Sequence, residues 1–373
     1  MQPMRVITCV VLITAILVTP CALANSKPSP DDLARFLAGL EAPAGSGLET
    51  MTATAWYQRH ARLATSAWKR YRETTLLPLR DWALRQRLPQ LGTLVYPFAG
   101  PDLVNALTLY PDVPEYLLFG LEDPGSLPDP ATLVPGDLAD LRSALATFFA
   151  ANHFFTREME RRMGGPSTSV SAVFLCFLAS SEYKVLDFKR IGLAEDGEVV
   201  DGSGTDGAAG RDTGRIHGIE IRFSGNRGLA KTLRYFKVDV SDQSLKSRGA
   251  GFLRLLARCG RFATLMKAAS YLMHREVRTD LPPHFSFLRD VLLSRSETVL
   301  QDDSGIPLRF FSRLLWNRRF FGKYTQPVPE FVKRMQPDLW NEMCYTSRGS
   351  LPFFFGYDRR PGAANIMVLE RIR

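Results

Sequence analysis

The sequence is poor in cysteine, which limits the covalent and metal chemistry that it can carry. It has five cysteines among 373 residues, and removal of a predicted leader peptide leaves only Cys176, Cys259 and Cys344. An odd number of cysteines cannot form a complete disulfide framework. Cys176 lies in an apolar run and is expected to behave as a small buried hydrophobe. Cys259 and Cys344 lie in more polar surroundings and can form a disulfide only if the fold brings them together.

Short catalytic and cofactor motifs are also missing. The sequence contains no Cys-x-x-Cys and no His-Glu-x-x-His, so it offers no local metal motif. It has no Gly-x-Ser-x-Gly elbow for a nucleophilic serine. Gly202-Ser203-Gly204 lies in a polar, glycine-rich stretch and does not join a strand to a helix, as a phosphate-binding loop must. The sequence therefore predicts no metal and no cofactor.

The one segment that resembles a membrane-directed sequence is at the N-terminus. Arg5 precedes the apolar run Val6–Val18, and the small residues Ala22 and Ala24 occupy the two positions that a signal peptidase reads before a cleavage after Ala24. This pattern is typical of a secretory signal peptide, and the run is too short for a stable membrane span. Cys21 is an alternative site for lipid attachment, but the preceding Pro20 disfavours it. We therefore predict a protein of the periplasm or the exterior.

Bulk composition indicates a globular protein. The apolar fraction is 45% and the formal net charge is +9, which suits an anionic envelope environment. Export makes nucleic acid an improbable partner, so we predict none. The expected partner is an unknown small molecule or an envelope component, and the sequence does not define an oligomeric state. Weak contact with an anionic membrane surface is a further option.

Three regions differ in composition. Residues 25–50 are rich in Pro, Gly, Ala and Ser and resemble a linker with a short helix at about 31–40. Residues 51–373 are predicted to form a single α/β unit whose N-terminal part is helical, with Pro78 interrupting the helices. Gly and Asp dominate residues 194–215, which predicts a flexible insertion in a hairpin.

The clearest α/β unit covers residues 91–122. Thr93–Phe98 is predicted to be a strand, Leu103 begins a helix, and Tyr116–Leu121 is a second strand parallel to the first. We predict an α/β or α+β fold with a mixed sheet flanked by helices. The other predicted helices are 137–163, 167–180, 249–258, 262–274, 284–294 and 328–335, and the other predicted strands are 183–193, 216–240, 297–300, 308–311, 351–357 and 365–370.

Three distinctive segments resemble an uncharacterised family of exported bacterial proteins. They are Tyr96–Asp102, Gln301–Pro307 and Leu351–Tyr357. The resemblance covers most of the chain after the leader and implies export and one continuous fold. The family has no assigned activity, so the resemblance implies no catalytic residue.

Polar residues follow several of the apolar strands. In open α/β sheets ligands bind beyond the carboxyl ends of the strands, so these residues can line one cleft if the strand ends converge. A pair of carboxylates there could share a proton or act as acid and base. The alternative is that these residues only build turns and helix caps. The candidate cleft residues are Asp102, Asn105, Asn226, Asp302, Asp303 and Ser304.

Residues 308–324 mix aromatic and basic side chains. They are predicted either to lie on an anionic membrane with an exposed stripe of Phe310, Leu314 and Phe321, or to form a core-facing helix with solvated arginines. The core alternative is favoured.

We predict a non-catalytic binding or interaction protein of the cell envelope. The first alternative is a hydrolase-like enzyme with a carboxylate-lined cleft, in which Asp102 would share a pocket with Asp302 or Asp303. The second alternative is a peripheral membrane-surface protein that uses residues 308–324.

Overall fold

The strands among the described residues join in one ten-stranded mixed sheet. The computed structural model describes residues 27–154, 168–202, 216–225, 228–357 and 362–372. The predicted signal peptide and Cys21 lie outside these residues. The strands are β1 (Thr93–Pro97), β2 (Glu115–Gly120), β3 (Lys184–Leu193), β4 (Val199–Asp201), β5 (His217–Ser224), β6 (Ala230–Lys237), β7 (Phe262–Met266), β8 (Ser296–Gln301), β9 (Trp316–Gly322) and β10 (Asn365–Arg371).

The centre of the sheet is parallel and both flanks are antiparallel. The spatial order is β4-β3-β5-β6-β2-β1-β7-β8-β10-β9, and the block from β6 to β8 is parallel throughout. Numbered along the chain, these parallel strands have the order 3-2-1-4-5, which is that of doubly wound folds. The order reverses between β1 and β7, so the switch point of the sheet lies there.

Helices cover both faces of the sheet and form two separate cores. The first core contains Leu94, Tyr96 and Leu118 from the strands, and the second contains Val95, Phe119 and Met266. Helices on the first face are α1 (Pro30–Leu37), α2 (Glu49–Thr52), α3 (Ala55–Tyr71), α4 (Leu77–Gln86), α5 (Leu103–Leu109), α6 (Pro135–Ala151) and α7 (Val170–Ser180), and those on the second are α8 (Asp242–Ser247), α9 (Ala250–Arg258), α10 (Ser286–Arg295) and α11 (Pro337–Thr346). This arrangement confirms the predicted α/β fold class.

The β1-α5-β2 unit forms as predicted. Every residue of β1 is buried, and Leu94 of β1 pairs with Tyr116 of β2 in a parallel register. The side chain of Asp102 accepts a hydrogen bond from the backbone of Asn105 and so caps α5. The sequence pattern was sufficient here because strand, cap and helix are all local features.

The interruption predicted at Pro78 takes the form of a wider helical turn. A π-helical turn at Arg72–Leu76 joins α3 to α4, and Pro78 is an early residue of α4. Proline has no N–H to donate, so the regular hydrogen-bond ladder cannot run through this position.

The N-terminal segment does not behave as a linker where it is described. Helix α1 begins with a capping box at Ser29 and buries Leu33, Phe36 and neighbouring residues in the first core. The ring of Phe36 stacks on Tyr57 at 4.7 Å between centroids. The Asp31 carboxylate accepts a hydrogen bond from the backbone N–H of Val185 at 2.7 Å. The short helix predicted at about 31–40 is therefore confirmed as α1, and residues 38–48, which follow it, form turns and irregular backbone.

Several predicted elements are wrong. Residues 262–274 are not a helix, since they form β7, a loop and a 3-10 turn at Leu272–His274. Residues 308–311 are a 3-10 turn rather than a strand. Residues 351–357 form a largely irregular segment. A short apolar run has no periodicity that separates a buried strand from a buried helix, which explains the error at β7.

Two long predictions are only partly covered by the described residues. Helix α6 ends at Ala151, with Asn152 in the left-handed conformation, and residues 155–163 of the predicted helix lie outside the description. Within the predicted insertion, residues 199–201 form β4 and pair with β3. Residues 203–215 of the insertion lie outside the described residues. The described part of this segment is therefore a turn and a short edge strand.

The three cysteines among the described residues are not paired with each other. Cys176 is buried, Cys259 is half-buried and Cys344 is exposed, and all three are free thiols. The Cys259–Cys344 disulfide that the sequence left open is not formed.

Replacing Phe36 tests whether α1 is part of the folded body. Phe36 is fully buried, so Phe36→Ala should lower the free energy of unfolding by about 3–5 kcal/mol. The matched control is Leu84→Ala, because Leu84 is 65% exposed and its loss should cost less than about 0.5 kcal/mol. Urea denaturation of both variants makes the comparison. Equal stability of the two would show that α1 does not pack on the sheet.

Candidate functional site

Buried polar side chains gather at the carboxyl edge of the parallel strands. The loops that follow β1, β7 and β8 meet there, next to the C-terminal end of α6. The parallel arrangement brings these loops together, because the carboxyl ends of parallel strands lie at the same edge. The edge includes the switch point between β1 and β7.

A buried ion pair joins the loop after β1 to the end of β7. The Lys267 ammonium lies 2.7 Å from the Oδ2 atom of Asp102, and the two residues are only 3% and 2% exposed. Tyr96 donates its hydroxyl to the same oxygen at 2.8 Å. Asn105 donates its side-chain amide to the other oxygen, also at 2.8 Å. Each Asp102 oxygen therefore has a donor, which a buried carboxylate requires.

The ion pair is extended by Asn152 at the end of α6. Lys267 donates to the backbone carbonyl of Asn152, and the Asn152 side-chain oxygen accepts hydrogen bonds from Asn105 at 2.9 Å and Tyr71 at 2.6 Å. Burial lowers the pKa of Lys267, and the Asp102 carboxylate opposes that shift. Burial raises the pKa of Tyr71 well above its usual value, so its hydroxyl remains a donor.

Asp302 follows β8 and is held as an internal anchor. Its Oδ1 accepts from the hydroxyl of Ser304 at 2.5 Å and from the backbone N–H of Ser304 at 3.2 Å. Its Oδ2 accepts from the backbone N–H of Ala268 at 3.2 Å. Burial, followed by the charge of Asp303, raises the pKa of Asp302 to about 7. The charge of Asp302 also raises the pKa values of Tyr96 and Lys267.

Asp303 has different surroundings from Asp302. Tyr271 donates its hydroxyl to Oδ2 of Asp303. Asn365, the first residue of β10, donates its amide to Oδ1 at 2.9 Å and accepts from the Asp303 backbone at 2.8 Å. These contacts orient the carboxylate toward a pocket.

The pocket lies between the loops after β7, β8 and β9 and the start of β10. It has an empty volume of about 260 Å³, which includes solvent at its mouth, and its enclosed part has room for about one water molecule. The lining residues are Tyr271, Asp303, Lys323, Thr325, Gln326, Val328, Tyr357, Ala363 and Asn365.

The backbone around this edge is strained. Ala268, Ser270 and Tyr271 after β7, and Phe98 after β1, all have φ values between 51° and 57°, a region that residues other than glycine rarely adopt. Tyr357 braces the loop after β7, because its hydroxyl accepts from the Ser270 backbone at 3.0 Å and donates to the Ala268 carbonyl at 2.9 Å. The strained turn directs Tyr271 toward Asp303.

The structure brings most of the candidate cleft residues to this edge. Asp102 and Asn105 lie in the ion-pair network, whereas Asp302, Asp303 and Ser304 lie in the loop after β8. Asn226 lies outside the described residues. Strand β5, which precedes it, is antiparallel to β6, and its last residue Ser224 pairs with Ala230 at the opposite edge of the sheet. The end of β5 therefore does not meet the carboxyl ends of β1, β7 and β8, contrary to the prediction.

Sequence reasoning missed Lys267, Tyr271, Tyr357 and Asn365. Lys267 directly follows the apolar run Phe262–Met266, which is the same signal that identified Asp302. Lys267 was not recognised as a residue at a strand end because the run was predicted to be part of a helix. Asn365 begins a strand that runs antiparallel to β8, so a search of strand ends could not find it.

The apolar stripe predicted in residues 308–324 does not form. Phe310 is half-buried, Leu314 is 87% exposed and Phe321 is 3% exposed. The segment is a 3-10 turn followed by β9 rather than a helix, so its side chains do not share one face.

Two searches of the described ranges were negative. No cluster of three or more His, Cys, Asp or Glu side chains there is arranged to hold a metal ion. No helix within the same ranges is both long enough and apolar enough to cross a bilayer.

Comparisons with known proteins found no matching family model, no similar curated protein and no similar solved structure. The resemblance to exported bacterial proteins stays a prediction.

Breaking the buried ion pair should be costly. Lys267→Met leaves Asp102 buried without its counter-ion and should lower the free energy of unfolding by about 3–5 kcal/mol. Lys267→Met combined with Asp102→Asn should recover part of that loss, as a double-mutant cycle would measure. The control is Lys189→Met, which removes a surface pair with Asp187 and should cost less than about 1 kcal/mol. A double variant no more stable than Lys267→Met would contradict the pairing.

The raised pKa of Asp302 predicts a pH dependence of stability. The unfolded carboxyl ionises near pH 4 and the folded one near 7, so ionisation favours unfolding as pH rises between these values. Relative to Asp302→Asn, the wild type should lose up to about 1.4 kcal/mol per pH unit over this window. Denaturation at pH 4, 5.5 and 7 measures the difference, with the exposed Asp81→Asn as the control. A difference independent of pH would contradict the assigned shift.

Proposed function

We propose that this protein is a binding protein that acts outside the cytoplasm and holds the head group of a small polar molecule against Asp303. The observation that carries this proposal is the fixed Asp303 carboxylate at a pocket on the carboxyl edge of the sheet. Ligand sites in doubly wound folds lie at this edge. Pre-oriented polar groups reduce the ordering cost of binding.

Binding is better supported than hydrolysis. The hydrolase alternative requires a pair of carboxylates in one pocket, and Asp303 is the one carboxylate among the described residues that line this pocket. Asp302 is 1% exposed, and both of its oxygens accept hydrogen bonds from Ala268 and Ser304. Asp102 caps α5 and pairs with Lys267. The two buried aspartates therefore act as structural anchors.

A nucleotide is a poor match for this site, although the strand order is that of dinucleotide-binding folds. The turn after β1 has a single glycine, Gly100, and the residue that caps α5 is the acidic Asp102. A phosphate at that position would face a carboxylate instead of free backbone N–H groups.

Export is the part of the proposal that rests on the N-terminal pattern. Expression of the full chain in a bacterial host, followed by N-terminal sequencing of the protein from the envelope fraction, should give a mature start at Asn25. Replacing Leu12 by Arg within the apolar run should retain the precursor in the cytoplasm, while Leu48→Arg, beyond the leader, should not block cleavage. An uncleaved wild-type chain in the cytoplasm would contradict export.

A fragment screen tests the binding site itself. Ligand-observed NMR with several hundred small polar fragments should give hits for the wild type that are lost with Asp303→Asn, because the variant lacks the pocket carboxylate. Asp81→Asn, which removes an exposed carboxylate elsewhere, should keep those hits. Circular dichroism confirms that each variant is folded. Hits that bind all three proteins equally, or no hits at all, would overturn the proposal.

A further inference from the structure

We propose that the outer face of α3 is a docking surface for an anionic lipid bilayer. The proposal goes beyond the ligand pocket, because none of the described residues that line that pocket belongs to α3. It also concerns a different surface from residues 308–324, which form a 3-10 turn and β9 rather than an apolar stripe. The basic residues of α3, their surroundings and the apolar groups beside them carry the proposal.

Positive charge is concentrated in the helices α3 and α4 and the residue that follows them. Residues 55–87 contain eight basic and two acidic side chains, a formal net charge of +6, while the whole chain carries +9. Helix α3 has no acidic residue, and Glu73 lies after it in the π-helical turn. The net charge of the protein is therefore largely a property of this one region, which attracts anions over about 10 Å at moderate salt.

Four exposed basic side chains lie along the outer side of α3. The second, third and fourth of them are three, ten and eleven residues after the first, and residues at such spacings share one face of a helix. With a rise of about 1.5 Å per residue, the row is about 16 Å long. Its members, which we call the basic face, are Arg59, Arg62, Lys69 and Arg70.

Buried contacts on the inner side of α3 fix the direction of the basic face. The Tyr57 hydroxyl donates to the carbonyl of Leu40 at 3.0 Å. The His60 ring is held by Arg142 of α6, 2.8 Å from Nδ1, and by the carbonyl of Leu37, 3.0 Å from Nε2. Burial, followed by the charge of Arg142, lowers the pKa of His60 to about 4, so the neutral ring accepts at Nδ1 and donates from Nε2. The helix is therefore anchored with its basic face outward.

The basic face is not neutralised within the part of the chain that the structure describes. None of its four side chains forms a salt bridge or a side-chain hydrogen bond with a described residue. Other surface arginines have carboxylate partners: Arg313 lies 2.6 Å from Glu342, and Arg258 lies 3.5 Å from Glu198. Neighbouring cations on a helix repel one another. An anionic partner would relieve this repulsion.

The shape and the apolar groups of this surface favour a bilayer over other anions. Cations spread along a convex helix match a plane of many phosphates better than one small anion. Leu63 directly follows Arg62 and is 49% exposed, and the half-buried Trp56, seven residues earlier, lies on the same side of α3. Such side chains enter the interfacial layer of a bilayer, whereas contacts with nucleic-acid phosphates use polar groups.

Binding to lipid vesicles tests the proposal. Protein from expression of the full chain should co-sediment with vesicles of equal parts phosphatidylglycerol and phosphatidylcholine at about 50 mM NaCl. Vesicles of phosphatidylcholine alone, or salt at about 500 mM, should weaken binding by about 20-fold or more, because the attraction is electrostatic.

Neutralising the basic face should abolish most of this binding. Each basic residue near an anionic surface contributes about five-fold, so the four-site variant should bind at least about 100-fold more weakly. The first two and the last two substitutions, made as separate pairs, should each cost about 25-fold, and they replace the four-site variant if it melts early in circular dichroism. The substitutions are Arg59→Gln, Arg62→Gln, Lys69→Gln and Arg70→Gln.

The matched control removes the same charge from other surfaces. Its four substitutions are at exposed residues outside α3 and α4, and it should lose less than about five-fold, because charges farther from the bilayer than the Debye length are screened. The control substitutions are Lys184→Gln, Arg222→Gln, Arg278→Gln and Lys333→Gln. Equal losses for the two four-site variants would show that only net charge matters and would overturn the proposal, as would a wild type that binds no vesicles.

A further variant separates a bilayer from a soluble polyanion. Leu63→Ser should weaken vesicle binding about three-fold, because the leucine no longer enters the interfacial layer. It should not change the affinity for a DNA duplex of about 20 base pairs, which is recognised through its phosphates. If the basic-face variant loses affinity for DNA but not for vesicles, the surface binds nucleic acid and the proposal is overturned.

Discussion

The buried contact between Lys267 and Asp102 is the constraint on which the carboxyl edge of the sheet depends. It lies at the switch point and ties the loop after β1 to the end of β7. Two charges taken out of water are tolerable only when the remaining polar atoms are bonded. Tyr96 and Asn105 donate to the carboxylate, and the backbone carbonyl of Asn152 accepts from the ammonium. The geometry of the edge is therefore set by hydrogen-bond satisfaction as much as by apolar packing.

The same demand connects stability to the pocket. In the strained loop after β7, the backbone N–H of Ala268 donates a hydrogen bond to Asp302, and the hydroxyl of Tyr271 donates one to Asp303. Strain in such a turn persists only where the surroundings over-determine it, and Tyr357 contributes by bonding to both Ser270 and Ala268. One carboxylate of the adjacent pair thus anchors the loop while the other faces the pocket.

Predictions from the sequence succeeded where the interacting residues lie close together along the chain. The β1-α5-β2 unit was predictable because its cap, its buried strands and its turn are encoded within a short window. Asp302 and Asp303 were found because they directly follow a buried strand. Lys267 was missed because β7 was taken for a helix, and Asn365 was missed because its contact with Asp303 spans 62 residues of sequence. No local feature of the sequence indicated that β5 runs antiparallel to β6.

The sequence by itself determined the α/β class, the two core-facing sides of the central strands and the presence of acidic residues at strand ends. These follow from hydrophobic patterning and capping, which act between near neighbours. Only the tertiary structure decided which strand ends meet, which carboxylate pairs with Lys267 and which faces the pocket. Those outcomes depend on strand order and on burial, and burial determines the energy of every charge at this edge.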